Sequence, residues 1–239
     1  MSELAPHDED EKAALEAELA DFSYIVSHDL AAVFRHMQAF SGLLGRDLAE
    51  TATARQRELI ARIDAASTRG EAMLDELRAC SRLQRRPLLT ETCDCATLVE
   101  AARLQLDAQF RGFGARLTVA ELGPVVTDPV LFVEALRRIL DNALKFARPG
   151  EAPDIEIRRG RASDGWSLRI SDRGVGVDAG QEERVFQMFH QLDRETDGVG
   201  AGLAVARRVV RRLGGDVRIL PQAQGACVEI RLAQRSGES

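Results

Sequence analysis

Apolar side chains recur every three or four residues along the first part of the chain. Between positions 11 and 46 they form one stripe, which predicts a long amphipathic helix. The stripe contains Leu19, Phe22, Val26, Leu30, Val33, Met37, Phe40 and Leu44. A second stripe runs from Leu59 to Leu83, and Pro87 ends it. Because only the short polar link 47–53 separates them, we predict an antiparallel hairpin, which a second copy would complete to a dimeric four-helix bundle.

Beyond Pro87 the pattern changes to that of a mixed α/β domain. Short β-branched segments between turn residues predict strands at 115–120, 124–126, 155–159, 167–171, 216–220 and 226–232. Helical spacing predicts helices at 96–110, 129–147 and 203–213. The predicted fold class is therefore α + α/β, a long helical hairpin followed by an α/β sandwich. We expect three regions: a charged tail at 1–14, the hairpin at 15–88 and the α/β domain at 89–239.

Composition excludes several functional classes. The 239 residues carry 32 Lys and Arg against 38 Asp and Glu, a net charge of -6, and 45% are hydrophobic. This is globular composition without the broad positive field of a nucleic-acid binder. No apolar run approaches the roughly 20 residues of a membrane span, and the start of the chain is acidic. We therefore expect a cytoplasmic protein without nucleic acid or membrane partners, and the Cys93-x-Cys95 spacing does not fit a zinc site.

His28 is the first candidate for chemistry. It lies about 200° around the predicted helix from Val26, so it faces away from the apolar stripe. A lone histidine there is most simply a solvated surface residue. Alternatively, Asp29 beside it holds the imidazole by Nδ1 and favours the tautomer whose Nε2 is a free nucleophile.

Two further segments suit a nucleotide. Asn142 and Lys145 share one face of the predicted helix 129–147, where an amide oxygen suits Mg²⁺ and an ammonium suits phosphate. Asp172 follows a predicted strand, and its carboxylate can accept a hydrogen bond from an exocyclic amine. The glycines behind it, Gly174 and Gly176, would let a flat ring approach the backbone.

A third segment is glycine-rich and opens the predicted helix near Leu203. The free N–H groups and the dipole of a helix start favour anionic phosphates. The segment contains Gly198, Gly200, Gly202 and Leu203. Taken separately, each glycine segment is more simply a turn or bulge, whereas together the segments fit one task.

In order and spacing these segments resemble the sensor histidine kinases, particularly those with a phytochrome-type phosphoacceptor region. The resemblance covers about Leu15 to Leu232. The matching motifs are the H-box Phe22–His36, the N-box Ile139–Phe146, the G1 box Asp172–Val177, the F-box Arg184–Phe189 and the G2 box Gly198–Leu203.

The resemblance implies a dimerisation and histidine-phosphotransfer hairpin followed by an ATP-binding domain of the gyrase, Hsp90, histidine kinase and MutL type. His28 would be phosphorylated from ATP, with Asp29 as its acid/base neighbour, and would pass the phosphoryl group to an aspartate of a response-regulator receiver domain. Asn142 would bind Mg²⁺, Lys145 would bind phosphate and Asp172 would bind the adenine amino group. The glycines of the G2 box would form the phosphate end of a lid.

Arg138 departs from the family pattern, because the N-box commonly carries a second asparagine there. The stretch from Phe189 to Gly198 is also shorter than expected for the lid. Both features favour an alternative in which the protein relays phosphate or docks receivers without ATP turnover. A serine-directed kinase of the anti-sigma type is disfavoured, because such kinases lack the hairpin. With about 20 residues before the H-box, we expect the signal to come from a separate sensor protein, from the helical lead-in around Leu15 and Leu19, or from a further domain.

Overall fold

The computed structural model describes residues 29–160, 165–191 and 198–233. The chain divides between Arg86 and Pro87 into two compact units. The functional domains assigned from the sequence remain predictions, and each unit is described by itself.

The first unit contains two antiparallel helices. The described part of α1 covers 29–47, and α2 spans Ala54–Arg85. Thr53 begins α2 with a capping box, because its hydroxyl accepts from Gln56 N at 3.2 Å while Gln56 Oε1 accepts from Thr53 N at 2.8 Å. Both predicted helices are present in this part, whereas positions 11–28 of the first predicted helix lie outside the described residues.

The face of α1 that packs on α2 differs from the expected one. The ring of Phe34 lies against Gly70, where a Cβ would come within 2.4 Å of it, and Gln38 Nε2 donates to Thr68 Oγ1 at 2.9 Å. The predicted apolar stripe lies beside this face: Val33 is 51% exposed and Phe40 67%. Gly70 leaves room for the Phe34 ring, so the contact between the two helices forms on this face.

The second unit is built on a five-stranded sheet. Its strands are β2 (Arg116–Val119), β4 (Asp154–Arg159), β5 (Gly165–Asp172), β6 (Gly215–Leu220) and β7 (Cys227–Ala233). They lie in the order β2-β4-β5-β7-β6, with β2 parallel to β4 and the other pairs antiparallel. A separate antiparallel pair joins β1 (Glu91–Asp94) to β3 (Pro124–Thr127). The α/β class predicted for this half is thus present.

Helices supply the other half of the core. These are α3 (Cys95–Gln105), α4 (Asp107–Phe113), α5 (Pro129–Lys145) and α6 (Gly202–Arg212). The side chain of Phe132 on α5 meets Trp166 of β5 edge to face, with ring centroids 5.7 Å apart. Alternate residues of β4 and β5, including Ile157 and Leu168, are fully buried, so one face of the sheet forms the core.

Two sequence predictions in this unit were wrong. The single helix predicted at 96–110 is broken at Leu106, whose φ of -111° and ψ of 12° leave the helical region. The apolar spacing continues through Phe110, so both Leu106 and Phe110 are buried and the break leaves no mark in the hydrophobic pattern. The strand β1 was not predicted, because its residues are mostly polar and exposed.

Candidate nucleotide-binding site

Helix α5 carries the first two predicted site residues. Asp128 caps it by accepting a hydrogen bond from Leu131 N at 3.1 Å, and Pro129 follows at the first helical position. Asn142 is half-buried, and its side chain makes no hydrogen bond to the part of the chain that the structure describes. Lys145 is exposed, and its Nζ lies 2.6 Å from Asp141 Oδ2. The amide oxygen of Asn142 is therefore available to a hard cation, while an anionic ligand would compete with Asp141 for Lys145.

Asp172 is the last residue of β5, and backbone hydrogen bonds hold one of its carboxylate oxygens in place. Its Oδ1 accepts from Gly174 N at 2.8 Å and from Ala226 N at 3.1 Å. Burial raises the pKa of Asp172, and these two backbone hydrogen bonds oppose the rise. No described residue donates to Oδ2. The carboxylate is thus held in one orientation with an acceptor oxygen left for a ligand.

The glycines after Asp172 allow two backbone segments to meet. A Cβ on Gly174 would lie 2.2 Å from Phe146 O, the end of α5, and a Cβ on Gly176 would lie 2.9 Å from Gly225 O. Val175 N donates to Phe146 O at 2.9 Å. These contacts join the G1 box to the N-box. The space at these glycines serves backbone packing, and the approach of a ligand ring stays a prediction.

The G2 glycines precede and begin α6. Gly198 and Gly200 adopt φ values of 124° and 74°, which glycine favours. The N-cap residue of α6, Ala201, offers no side-chain cap, and no acidic residue lies in the first turn. The N–H groups there are open to an anion. Because the side chain of Leu203 is 7% exposed and packs in the core, only its backbone can serve a ligand.

The structure brings the N-box and the G2 box together. Lys145 Nζ lies 3.9 Å from the Cβ position of Gly198, and Arg138 O lies 3.9 Å from that of Gly202. Phosphate groups at the start of α6 would therefore lie near the lysine predicted to bind them.

The segment before the G2 box is hydrogen-bonded to it through the residues that precede and follow His190. Phe189 N donates to Gly200 O at 2.9 Å, and Gln191 Nε2 donates to Gly198 O at 2.9 Å. A Cβ on Gly200 would lie 2.5 Å from His190 O. Residues 192–197 of the predicted lid lie outside the described residues.

Arg207 is a residue that sequence reasoning missed. Its guanidinium donates to Glu183 at 2.6 Å and to Asp216 at 2.8 Å, and it lies 4.7 Å from the centroid of the Phe186 ring. It thereby joins α6 to the F-box segment and to β6. Four arginines occur between 207 and 212, so the sequence does not show which one takes this position.

Two clefts open near Asp172. One of about 190 Å³ is lined by Ala143, Arg148, Asp172 and Gly174, among others. The other, of about 490 Å³, opens mainly among outward-facing side chains of the sheet such as Thr118 and Arg158. Asn142 and Lys145 line neither. The smaller cleft is the better candidate for a nucleotide, because its lining includes the end of α5 and the G1 loop.

The catalytic pair predicted on the hairpin is only partly described. His28 lies outside the described residues, whereas Asp29 is exposed on α1. The predicted ATP-site residues all belong to the second unit.

Residues 127–236 match the family model of the histidine kinase-, DNA gyrase B- and HSP90-like ATPases. This span contains Asn142, Lys145, Asp172 and the G1 and G2 glycines. This part of the chain is therefore similar to the ATPase domains of that family.

The relatives of the chain include named histidine kinases, which confirms the resemblance stated from the motifs. The methanogenesis regulatory histidine kinase FilI of Methanothrix harundinacea is 31% identical over 220 residues, 91% of this chain and 25% of FilI. The sensor-like histidine kinase SenX3 of Mycobacterium tuberculosis is 31% identical over 222 residues, 89% of this chain and 53% of SenX3. The chain thus spans about a quarter of FilI and about half of SenX3.

A solved structure agrees in fold. The histidine kinase ThkA in complex with the response regulator protein TrrA matches with a TM-score of 0.65 at 16% identity, covering all of this chain and 69% of that one. Among the described residues, no helix is long and apolar enough to cross a membrane.

Proposed function

We propose that this protein is an ATP-dependent protein histidine kinase that phosphorylates its own His28 and passes the phosphoryl group to a receiver-domain aspartate. The observation that carries the proposal is the convergence of Lys145, Gly198 and the uncapped start of α6 inside a domain of the ATPase family. The similarity to FilI covers 220 residues and so extends well beyond residues 127–236, into the hairpin.

In this proposal Asp172 accepts a hydrogen bond from the adenine amino group through Oδ2, because Oδ1 is already bonded to the backbone. Lys145 exchanges Asp141 for a phosphate oxygen, and the first N–H groups of α6 bind another. Asn142 fits a Mg²⁺ ligand, since its amide forms no other hydrogen bond with the described residues. The bound cation would neutralise phosphate charge.

Besides charge neutralisation, the transfer needs a positioned nucleophile. Neutral His28 attacks the γ-phosphorus through Nε2, the bond from that phosphorus to the oxygen bridging the β-phosphate breaks, and ADP leaves with that oxygen. Asp29 accepts the Nδ1 proton in a hydrogen bond and stabilises the positive charge on the imidazole.

The hairpin supports a homodimer as part of the same proposal. Large apolar side chains lie exposed along α1 and α2 of the single chain, namely Leu30, Val33, Met37, Phe40, Leu43, Leu44, Leu59 and Ile63. Such a continuous apolar face is typical of a protein interface. A second copy, packing the same face, would bury it in a four-helix bundle.

A receiver domain is the proposed acceptor. Support comes from the ThkA structure, which contains a response regulator bound to a kinase of this fold. We propose a cytoplasmic location, because ATP is the substrate.

Incubation with γ-labelled ATP and Mg²⁺ tests this function. We expect acid-labile, alkali-stable label on the wild type and none on His28→Gln. If folded wild type binds ATP yet takes no label, or if His28→Gln is labelled equally, the autokinase proposal is wrong. ATP binding without label on the wild type would favour the phosphate-relay or scaffold alternative.

A further inference from the structure

Arg207 of α6 binds two carboxylates at once. Nη1 and Nη2 of its guanidinium donate to Glu183 at 2.6 and 3.4 Å, while Nε and Nη2 donate to Asp216 at 2.8 and 3.1 Å. The guanidinium also lies 4.7 Å from the centroid of the Phe186 ring, and only 13% of the side chain is exposed. Two carboxylates and an aromatic face hold a planar guanidinium in one orientation. Arg207 therefore joins α6 firmly to the chain around Glu183.

Residues 183–191 form a connecting segment from this attachment to the G2 box. The segment begins with a turn of 3₁₀ helix, and the next turn is closed by Gln187 N, which donates to Arg184 O at 3.0 Å. Phe189 N then donates to Gly200 O at 2.9 Å. Successive closed turns restrict the backbone angles of the connecting segment, so its two ends are linked in position.

Phe189 shows that the far end of the connecting segment is under constraint. Its φ is 62°, in the left-handed region that a residue with a Cβ rarely adopts. Such a conformation persists where the surrounding contacts hold it. After Phe189, Gln191 Nε2 donates to Gly198 O at 2.9 Å. The attachment to Arg207 provides the contact before it.

The G2 end of the connecting segment borders the proposed phosphate site. Gly200 immediately precedes Ala201, the N-cap residue of α6, whose side chain caps no N–H group. The Cβ position of Gly198 lies 3.9 Å from Lys145 Nζ. A shift of Gly198 and Gly200 would therefore move the backbone beside the donors proposed to bind phosphate.

We infer that Arg207 is a positioning residue for nucleotide binding: by holding the connecting segment against α6, it sets the place of Gly198 and Gly200 at the phosphate end of the site. The inference rests on the proposed ATP site and assigns Arg207 no contact with the nucleotide. A purely structural Arg207 would lower stability without a selective loss of nucleotide affinity.

The first test compares Arg207→Gln with Arg211→Gln in the full chain. Arg211 Nε donates to the same Asp216 oxygen at 2.9 Å, and Asp216 is its one side-chain partner in the part of the chain that the structure describes. Its loss removes the same charge from the same cluster without releasing Glu183. Calorimetry gives the affinity for the nonhydrolysable analogue AMPPNP with Mg²⁺, at a temperature where both variants are folded. We expect Arg207→Gln to weaken binding about tenfold and Arg211→Gln less than about twofold.

Amide hydrogen exchange without nucleotide tests the connection itself. The hydrogen-bonded amides of the connecting segment, those of Gln187 and Phe189 among them, should exchange about tenfold faster in Arg207→Gln than in the wild type. Arg211→Gln should leave their exchange unchanged. Equal exchange in Arg207→Gln and the wild type would contradict the proposed link from Arg207 to the G2 box.

A second pair of variants separates the two partners of Arg207. Glu183→Gln and Asp216→Asn each neutralise one carboxylate, but only Glu183 belongs to the connecting segment. Glu183→Gln should weaken AMPPNP binding about threefold, a modest loss because this carboxylate is 75% exposed, whereas Asp216→Asn should leave the affinity unchanged. This pair decides if Arg207→Gln does not fold, because a side chain as exposed as that of Glu183 is replaced without loss of the fold.

Three affinity results would overturn the inference while leaving the proposed site intact. They are wild-type affinity in Arg207→Gln, equal losses in Arg207→Gln and Arg211→Gln, and a loss in Asp216→Asn that matches the loss in Glu183→Gln. Absence of AMPPNP binding by the folded wild type would instead overturn the proposed function, and the inference with it.

Discussion

Asp172 Oδ1 accepts a hydrogen bond from Gly174 N at 2.8 Å, so the residue proposed to recognise adenine also holds the loop behind it. Asparagine keeps this acceptor oxygen. It places an amide NH₂ where the wild type offers Oδ2, and that group would face the adenine amino group donor to donor. We expect Asp172→Asn to lower ATP affinity by roughly tenfold to a hundredfold, measured by calorimetry.

The same substitution should not destabilise the fold. Burial raises the pKa of Asp172 above its ordinary 3.8, so the folded state disfavours the ionised form. The wild type therefore loses stability as pH rises through the raised pKa, whereas the neutral asparagine does not. Thermal melting should give Asp172→Asn a midpoint equal to or above that of the wild type at pH 7, with the gap closing below about pH 4. A lowered midpoint at pH 7 would contradict this account.

Gly174 is a glycine that close backbone packing requires, whereas Gly112 is not. An alanine Cβ there would lie 2.2 Å from Phe146 O, whereas Gly112 in α4 has no atom within 4 Å of its Cβ position. We expect Gly174→Ala to lower the free energy of unfolding by about 1–3 kcal/mol. Gly112→Ala should raise it by about 0.5–1 kcal/mol, because alanine favours a helix. Urea denaturation measures both, and effects of equal sign would refute the assigned contact.

Asp216 should stabilise the fold in a pH-dependent way. Partial burial would raise its pKa, but hydrogen bonds from Arg207 and Arg211 outweigh this and lower the pKa to about 2. The stabilisation is therefore present above the ordinary pKa of 3.8 and lost as pH falls toward 2.

We expect Asp216→Asn to cost about 1 kcal/mol at pH 7, a modest value because the side chain is 48% exposed and screened by solvent. Urea denaturation at pH 7 and pH 3 should show the difference from wild type shrinking at the lower pH and in high salt. A difference independent of both pH and salt would argue against the ion pairs as its source.

Phe40 tests the proposed dimer, because it is 67% exposed within the apolar face. A charge there would have to be buried in the four-helix bundle, so Phe40→Glu should yield monomers in sedimentation measurements where the wild type is dimeric. Ala39→Glu is the control, since Ala39 is exposed on the same helix and lies about 100° around it from Phe40. It adds the same charge outside the apolar face and should leave the dimer intact. A monomeric wild type at all concentrations would contradict the dimer.

Secondary structure was predicted correctly where helix-start residues and apolar spacing coincide with the buried face of the folded element. The helix predicted at 129–147 is observed at Pro129–Lys145, because Asp128 and Pro129 mark its start and its apolar spacing matches its buried face. The break at Leu106 was missed, since tertiary packing of Leu106 and Phe110 sets it and no proline or glycine marks it.

The residues of the candidate site were predicted from their types and spacing, and their ligand-binding roles stay predictions. The structure places Lys145 near Gly198, which the sequence alone did not show. The links from Arg207 to Glu183 and Asp216 were not predicted, because they join residues 24 and 9 positions apart through tertiary structure. The role of His28 rests on sequence alone.

Mapping the phosphorylated residue tests the central claim most directly. Trypsin cleavage after Lys12 and Arg35 releases peptide 13–35, in which His28 is the only histidine, together with Ser23, Tyr24 and Ser27. After incubation with ATP and Mg²⁺ and digestion at alkaline pH, we predict one added phosphoryl group on this peptide, lost on brief acid treatment and absent from His28→Gln. An acid-stable phosphoryl group on the peptide, or acid-labile phosphate found only on other peptides, would contradict the assignment of His28 as the phosphorylated residue.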